Sequence, residues 1–486
     1  AAQKYNPDHV GEVYFTRAAT NEVRDRISQA AGGTSKVAKN VRTLHSHCFK
    51  LLDMRRENVA ESKISSFNDY APEFALDDTS ENTDESANPY ECDKISRQHF
   101  QQMQVLRNRL VPEDTWPPGP KAFWGKWREW MSRESFMDFT MMLEEVQRRE
   151  LTPDIDILFV DEAQDLTPLQ YAVTRRWSEN VVFTIYAGDS DQSIFRFQGA
   201  VPEVFRDMDR QWFKTLSDSF RVSPKIKDYS LQIIRQALNR ENAEYNPTDK
   251  YGEGKVFQTP LPDLSLAGSH MLIARCNYQV NAWIKWLHAN GQLWHNPYRE
   301  SDLYWNPTQT KTWRAAQNYC RLIKGEPLNP KAFLALVHSM KAKGNIYHGG
   351  KTKILQCPPA HDVDLFDLYS LGFTDSFIDG NIALKDAIDL KGLAGEILTT
   401  MSKEEIRNAK PRCIVGTVHS VKGGEADHVW FDSGVSPLIY KSIIYGKPEI
   451  AYDEARVAYV ATTRARKTLG ILSSRSWNPM LPRSFK

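Results

Sequence analysis

Ile155-Asp156-Ile157-Leu158-Phe159-Val160 runs into Asp161-Glu162-Ala163-Gln164-Asp165, and a second apolar stretch ends in Gly188-Asp189-Ser190-Asp191-Gln192-Ser193. Apart from Asp156, the first run has the length and apolarity of a strand buried in a parallel sheet. Its charged end then emerges at the carboxyl edge, where α/β proteins bind ligands. Two carboxylates at such an edge suit the holding of Mg²⁺ on a nucleotide. Asp161 would take the metal and Glu162 would polarise a water, because phosphoryl transfer is mostly positioning and charge neutralisation. Taken alone, the segment reads equally as a solvated acidic turn after a strand.

The theme recurs downstream with other residue types. Val415-Gly416-Thr417-Val418-His419-Ser420-Val421-Lys422-Gly423-Gly424-Glu425 precedes an apolar stretch ending in Val429-Trp430-Phe431. Val457-Ala458-Tyr459-Val460-Ala461-Thr462-Thr463-Arg464-Ala465-Arg466 then places an arginine at the end of a helical pattern. In this order and spacing the blocks resemble the UvrD/Rep-type superfamily I DNA helicases, including their Asp-Glu-x-Gln-Asp form of the metal motif. The resemblance runs from Val13 to about Leu472.

Further blocks stand where that resemblance implies them. Val13-Tyr14-Phe15-Thr16-Arg17 is similar to the strand and helix that grip single-stranded DNA, with Arg17 where asparagine is usual. Thr43-Leu44-His45-Ser46 resembles the next DNA-contacting motif; by itself it is also a capped helix start. Phe136-Met137-Asp138-Phe139 resembles the Asp-Phe segment before the metal strand. In Ser219-Phe220-Arg221-Val222-Ser223, Phe220 replaces the tyrosine that stacks on adenine, which needs no hydroxyl, and Arg221 matches the arginine that reaches the γ-phosphate. The resemblance makes Gln192 the γ-phosphate sensor and Phe197 a base-stacking platform in place of tryptophan. It leaves Gln198 where an arginine is usual. Arg275, in Leu272-Ile273-Ala274-Arg275-Cys276-Asn277, matches a DNA-contacting strand end, a short match equally read as a strand and polar turn.

No Gly-x-x-x-x-Gly-Lys-Ser/Thr loop occurs, although such a loop cradles phosphates with backbone N–H groups. Gly344-Asn345-Ile346-Tyr347-His348-Gly349-Gly350-Lys351-Thr352 is one residue too long and lacks a clear following helix, so it reads as a surface loop. In the family the loop lies just before the segment that begins here at Ala1. The expectation is therefore a phosphate loop on a preceding segment or a separate chain. Natural loss of its strand would uncover apolar faces, at a cost of several kcal/mol against a margin of ~5–15 kcal/mol.

With 486 residues the chain can bury several cores. A formal charge of +1 excludes a generally basic DNA-coating protein and confines any DNA path to a local groove. Six cysteines at irregular spacing, without a Cys-x-x-Cys pair, imply neither a disulfide framework nor zinc, and point to a reducing compartment, cytoplasmic or nucleoid-associated. No apolar run is long enough to span a membrane.

The predicted fold class is α/β: two RecA-like parallel-sheet motor domains, each with a largely helical insertion. Residues 1–52 and 151–221 form the first, N-terminally incomplete, with 53–150 inserted. Residues 222–296 and 411–486 form the second, with 297–410 inserted. Within the first insertion, 73–93 is acidic and reads as an exposed loop, and Trp116-Pro117-Pro118-Gly119-Pro120 as a turn. Phe123, Trp124, Trp127 and Trp130 recur at nearly helical spacing, which suits a core, with base stacking the other reading.

The resemblance implies an ATP-driven, Mg²⁺-dependent motor on single-stranded DNA, or on a duplex with a single-stranded tail, travelling 3′ to 5′. Asp161, Glu162, Gln192, Arg221 and Arg464 would serve hydrolysis, and Phe220 and Glu425 would hold the base and sugar. Thr16, Arg17, Thr43, His45, Phe197, Arg275, His419 and Lys422 would line the DNA path. Two alternatives remain open: a helicase-like binding protein that has lost hydrolysis, and the motor part of a helicase-nuclease assembly.

Overall fold

The computed structural model describes residues 9–14, 17–30, 40–76, 95–241, 245–299, 302–474 and 477–482. Thr16, the side chain of Arg17 and residues 77–93 of the acidic stretch lie outside them.

The first sheet contains β1 (Val10–Tyr14), β2 (Val41–Thr43), β3 (Ile157–Val160) and β4 (Phe183–Tyr186), in the order β2-β1-β3-β4. All three pairings are parallel, with Val13 opposite Val160 and Val160 opposite Tyr186. β3 is two residues shorter than its apolar run, and Asp156 instead donates its N–H to the His9 carbonyl at 2.7 Å. Val13, Leu158 and Val160 pack with Leu44, Cys48, Met142, Leu143, Val146, Leu169, Val173 and Trp177 in one core. The helices that bring these side chains have side-chain caps. Thr43 Oγ1 accepts from Ser46 N and starts Leu44–Leu51, Asp138 accepts from Met141 N and starts Phe139–Arg148, and Thr167 exchanges bonds with Gln170 at the start of Pro168–Ser178.

Among the described residues of 53–150 the regular elements are helical, the longest being Ile95–Asn108 and Pro118–Glu134. The expected turn at 116–120 is the entry to the second of these, where Pro118 stands in the first turn and needs no donor. Phe123, Trp127 and Trp130 are buried around Phe67, so the core reading of the aromatic spacing holds. One buried polar group is built into this core. Asp138 accepts from Trp127 Nε1 at 2.8 Å and pairs with Arg107 at 2.5 Å, and Arg107 also reaches Glu144 at 2.8 Å.

The second sheet comprises β5 (Lys255–Thr259), β6 (His270–Ala274), β7 (Trp294–His295), β8 (Cys413–Thr417), β9 (Ala426–Asp432) and β10 (Ala465–Leu472), in the order β5-β10-β9-β6-β8-β7. β10 pairs parallel with β5, and β7 with β8. The two parallel-sheet α/β domains agree with the predicted fold class. By contact density the chain divides into one unit of residues 1–261, 417–425 and 431–486 and another of 262–416 and 426–430.

Residues 297–410 are helical where regular, from Lys311–Leu322 to Lys403–Arg407. The glycine-rich stretch here departs from the expected surface loop, because a helix, Gly350–Gln356, does follow it. Lys351 Nζ is committed to the backbone carbonyls of Met340 (2.7 Å) and His338 (3.2 Å), which end the helix Pro330–Ser339. Among the described residues no helix is long and apolar enough to cross a membrane, and all five cysteines are free.

Candidate active site

β3 and β4 deliver two loops to the carboxyl edge of the first sheet. Ala187 N donates to Val160 O and Ala163 N to Ala187 O, each at 2.8 Å, so the loops leave the sheet stitched together. Glu162 has φ 50° and ψ 36°, a left-handed conformation that a non-glycine residue keeps only where its surroundings hold it. Gln164 is buried and spans both loops: its Nε2 donates to Glu162 Oε2 at 2.5 Å, and its Oε1 accepts from Asp189 N at 2.9 Å. A Cβ at Gly188 would lie 2.5 Å from Gln164 Oε1, which is why glycine stands there.

Cations from the C-terminal part of the same unit enter this cluster. Lys422 Nζ bonds the Asp165 carboxylate, lies 3.3 Å from Glu162 Oε2 and donates to Gln192 O at 2.7 Å. Arg464 is fully buried, and its Nη2 donates to Gln192 Oε1 at 3.0 Å while its Nε donates to Val460 O. Gln192 Nε2 donates in turn to Asp189 Oδ2 at 2.7 Å. The sequence-predicted Glu162, Gln192 and Arg464 therefore come together, with Asp161 at the adjoining strand end.

Electrostatics separates the carboxylates. Burial pushes Asp161 up and neighbouring Glu162 adds to it, so this carboxyl sits where a cation is wanted. Burial also raises Glu162, but the Lys422 ammonium and the Gln164 amide outweigh it and hold the group below its ordinary value. Burial holds Asp165 at about 6 in spite of Lys422. Lys422 is itself destabilised as a cation by burial, yet Asp165 and Glu162 raise it above the ordinary lysine value.

Glu425 is held by two arginines, Arg466 Nη1 at 3.4 Å and Arg221 Nη1 at 3.9 Å. Arg221 Nε is buried and has no hydrogen-bond acceptor among the described residues, which fits a guanidinium able to take a further anion. Phe220, one residue earlier, presents its ring to solvent with 84 % of the residue exposed, as an adenine-stacking surface would require. Among the described residues no cluster of His, Cys, Asp or Glu could hold a metal alone. Asp161 fits Mg²⁺ that takes further oxygens from a nucleotide.

The residues expected to contact DNA are placed less uniformly. Phe197 and His419 meet edge to face at 5.2 Å, with Phe195 at 6.0 Å from the same imidazole. Thr43 is occupied as a helix cap, and His45 packs on Phe139 with burial lowering its pKa to about 4. Arg275 is buried just after β6, in the other unit. Lys422 is enclosed, its ammonium shared by two acids and a carbonyl, which ties this residue to the acidic cluster. Sequence reasoning missed the bridging role of Gln164, the Lys422–Asp165 pair and Arg466. Gln164 and Asp165 stand inside the quoted Asp-Glu-Ala-Gln-Asp block, but nothing local indicates partners 257 positions away.

Comparison with known proteins agrees with this geometry. The chain is 21% identical over 316 residues to a probable DNA helicase II homolog of Mycoplasma capricolum, covering 58% of this chain and 44% of that protein. It is 21% identical over 314 residues to the ATP-dependent DNA helicase PcrA of Bacillus subtilis, covering 55% and 40%. With the ATP-dependent DNA helicase UvrD2 of Mycobacterium bovis it shares 22% over 352 residues, covering 66% and 47%. The chain spans less than half the length of each of these relatives. Two family profiles also match, one over residues 1–212 and one over 373–476. The first span is described as the UvrD/REP helicase N-terminal domain and holds the strand-end carboxylates, the second as the UvrD-like helicase C-terminal domain and holds Arg464, so over these residues the chain is similar to that family.

Proposed function

We propose that this protein is an ATP-hydrolysing DNA helicase that moves on single-stranded DNA, 3′ to 5′. The observation that supports it most is the hydrogen-bond chain from buried Arg464 through Gln192 to Asp189, set beside Glu162 at the sheet edge. A protein that only binds nucleic acid has no use for an arginine held against the glutamine of a nucleotide loop. Glu162 takes a proton from the attacking water, and Lys422 and Gln164 keep it ionised for that task. Bound Mg²⁺ supplies charge neutralisation to the phosphates, with Asp161 as its protein ligand. Arg221 and Arg464 answer the charge that develops on the transferred phosphoryl group, while Phe220 and Glu425 hold the base and sugar. A phosphate-cradling loop supplied from outside residues 1–486 belongs to this reading. So do the motor-domain boundaries at 52/53, 150/151, 221/222, 296/297 and 410/411.

In this reading Thr16, Arg17, Thr43, His45, Phe197, His419 and Lys422 are DNA contacts of one unit, and Arg275 is a DNA contact of the other. The experiment is ATP turnover by the full-length protein with Mg²⁺, with and without single-stranded DNA. Turnover is expected to rise with DNA, and Glu162→Gln to keep ATP binding while losing turnover, since it preserves shape and removes the base. Equal turnover in the wild type and Glu162→Gln would overturn the assignment.

A further inference from the structure

The short 3-10 helix Ser190–Gln192 is held, residue by residue, by four different cations of its own unit. Arg456 Nε donates to Ser190 O at 3.2 Å, and Arg240 makes a forked contact with the Asp191 carboxylate, its shortest bond 2.5 Å. Lys422 Nζ donates to Gln192 O at 2.7 Å and Arg464 Nη2 to Gln192 Oε1 at 3.0 Å. Lys422 and Arg464 belong to the nucleotide cluster. Arg456 and Arg240 touch none of its reacting groups, yet both are buried, and a buried cation is retained only where it is paired.

Their placement explains what they do. Arg456 and Arg464 stand on the helix Pro448–Thr462 and just after it, eight positions and about two turns apart. They therefore grip the two ends of a three-residue turn from one rigid element. Arg456 is locked by Asn239 (Nη2 to Oδ1, 2.8 Å) and by Asp453 (Nη1 to Oδ1, 3.3 Å). Asp453 also pairs at 3.1 Å with Arg196, which lies between Phe195 and Phe197. One helix thus holds the turn that presents Gln192 and, through Asp453, the aromatic segment that follows it.

We propose that Arg456 and Arg240 are positioning residues for the phosphate-sensing turn: they fix the backbone of Ser190–Gln192 so that the Gln192 amide meets Arg464. Arg456, through Asp453 and Arg196, carries the same constraint to the Phe195–Phe197 segment. The inference rests on the hydrolytic role proposed above. A residue with a merely structural role would stabilise the fold without acting through Gln192.

Two measurements on the full-length protein test it. In hydrogen–deuterium exchange, Arg456→Met is expected to speed exchange of the Asp191–Ser193 amides by about tenfold or more, relative to the core strand β3. Asn239→Ala removes one acceptor of the same guanidinium without emptying its site, and is expected to give the same change more weakly; it serves if Arg456→Met does not fold. In DNA-stimulated ATP turnover, Arg456→Met is expected to lower kcat about tenfold with little change in KM, and to add nothing on a Gln192→Ala background. Unchanged exchange in both variants, or full additivity with Gln192→Ala, would overturn the proposal. Absence of turnover in the wild type would refute the hydrolytic reading, and the exchange result would still decide whether Arg456 holds the turn.

Discussion

Replacing Lys422 by methionine removes the ammonium that Asp165 and Glu162 share and leaves the methylenes in place. A buried ion pair that loses one partner costs about 3–5 kcal/mol when the survivor stays charged. Asp165 has another course, because it can take a proton. The ionised group, held at about 6 against an ordinary 3.8, already costs about 3 kcal/mol at 1.36 kcal/mol per pH unit. Protonating it at pH 7 costs about 4 kcal/mol on the same scale. The loss through Asp165 is therefore capped at about 1 kcal/mol at pH 7, falls towards zero at pH 6 and grows again by pH 8. Glu162, whose side chain is 40% exposed, adds little to this because solvent screens it. The assay is urea unfolding of Lys422→Met and wild type at pH 6, 7 and 8, followed by tryptophan fluorescence. The expected difference grows with pH, and Asp165→Asn in the Lys422→Met background should abolish that growth. A penalty above 3 kcal/mol that is the same at all three pH values would refute the reasoning.

Other outcomes follow from single contacts. His47 is buried against Trp177 with its pKa lowered to about 4 by burial, helped by the Arg42 and Lys50 charges; below pH 6.5 the unfolded chain takes a proton that the native imidazole refuses. Its contribution is therefore intact above pH 6.5 and falls by about 1.4 kcal/mol per unit down to pH 4, a slope that His47→Gln should remove from pH-dependent melting curves. Gly188→Ala places a methyl on Gln164 Oε1 and should cost about 1–3 kcal/mol in chemical unfolding; a neutral result would mean that Gln164 does not bridge the two loops. Phe197→Ala should weaken single-stranded DNA binding by about 1–3 kcal/mol through loss of a stacking surface. Gln198→Arg should strengthen DNA stimulation of turnover, and oligonucleotide titrations that leave both variants unchanged would remove this segment from the DNA path.

The sequence by itself determined which elements form and where chemistry gathers, because these depend on neighbours. The apolar run before Asp161, interrupted only by Asp156, reads as a buried strand without knowledge of its partners, and Thr43, Asp138 and Thr167 cap helices through bonds only three residues long. The aromatic spacing at Phe123–Trp130 likewise predicted a core, and a core is found. Proline in the first turn at Pro118 read as a plain turn, since a helix entry and a turn share the same proline signal.

Charge assignments needed the tertiary structure. Lys422 stands in a block whose resemblance assigned it to DNA, and folding also brings its ammonium onto Asp165, Glu162 and Gln192 O, groups more than two hundred positions away. Arg240 stands in no motif, and Arg456 stands in the block that begins at Glu454 without any sign of its partner; only folding brings them onto one turn. Periodicity and capping are local and survive in the linear order. Whether a buried cation meets an acid, a carbonyl or a ligand depends on which distant segments share a low-dielectric space, and that is settled only when the chain closes on itself.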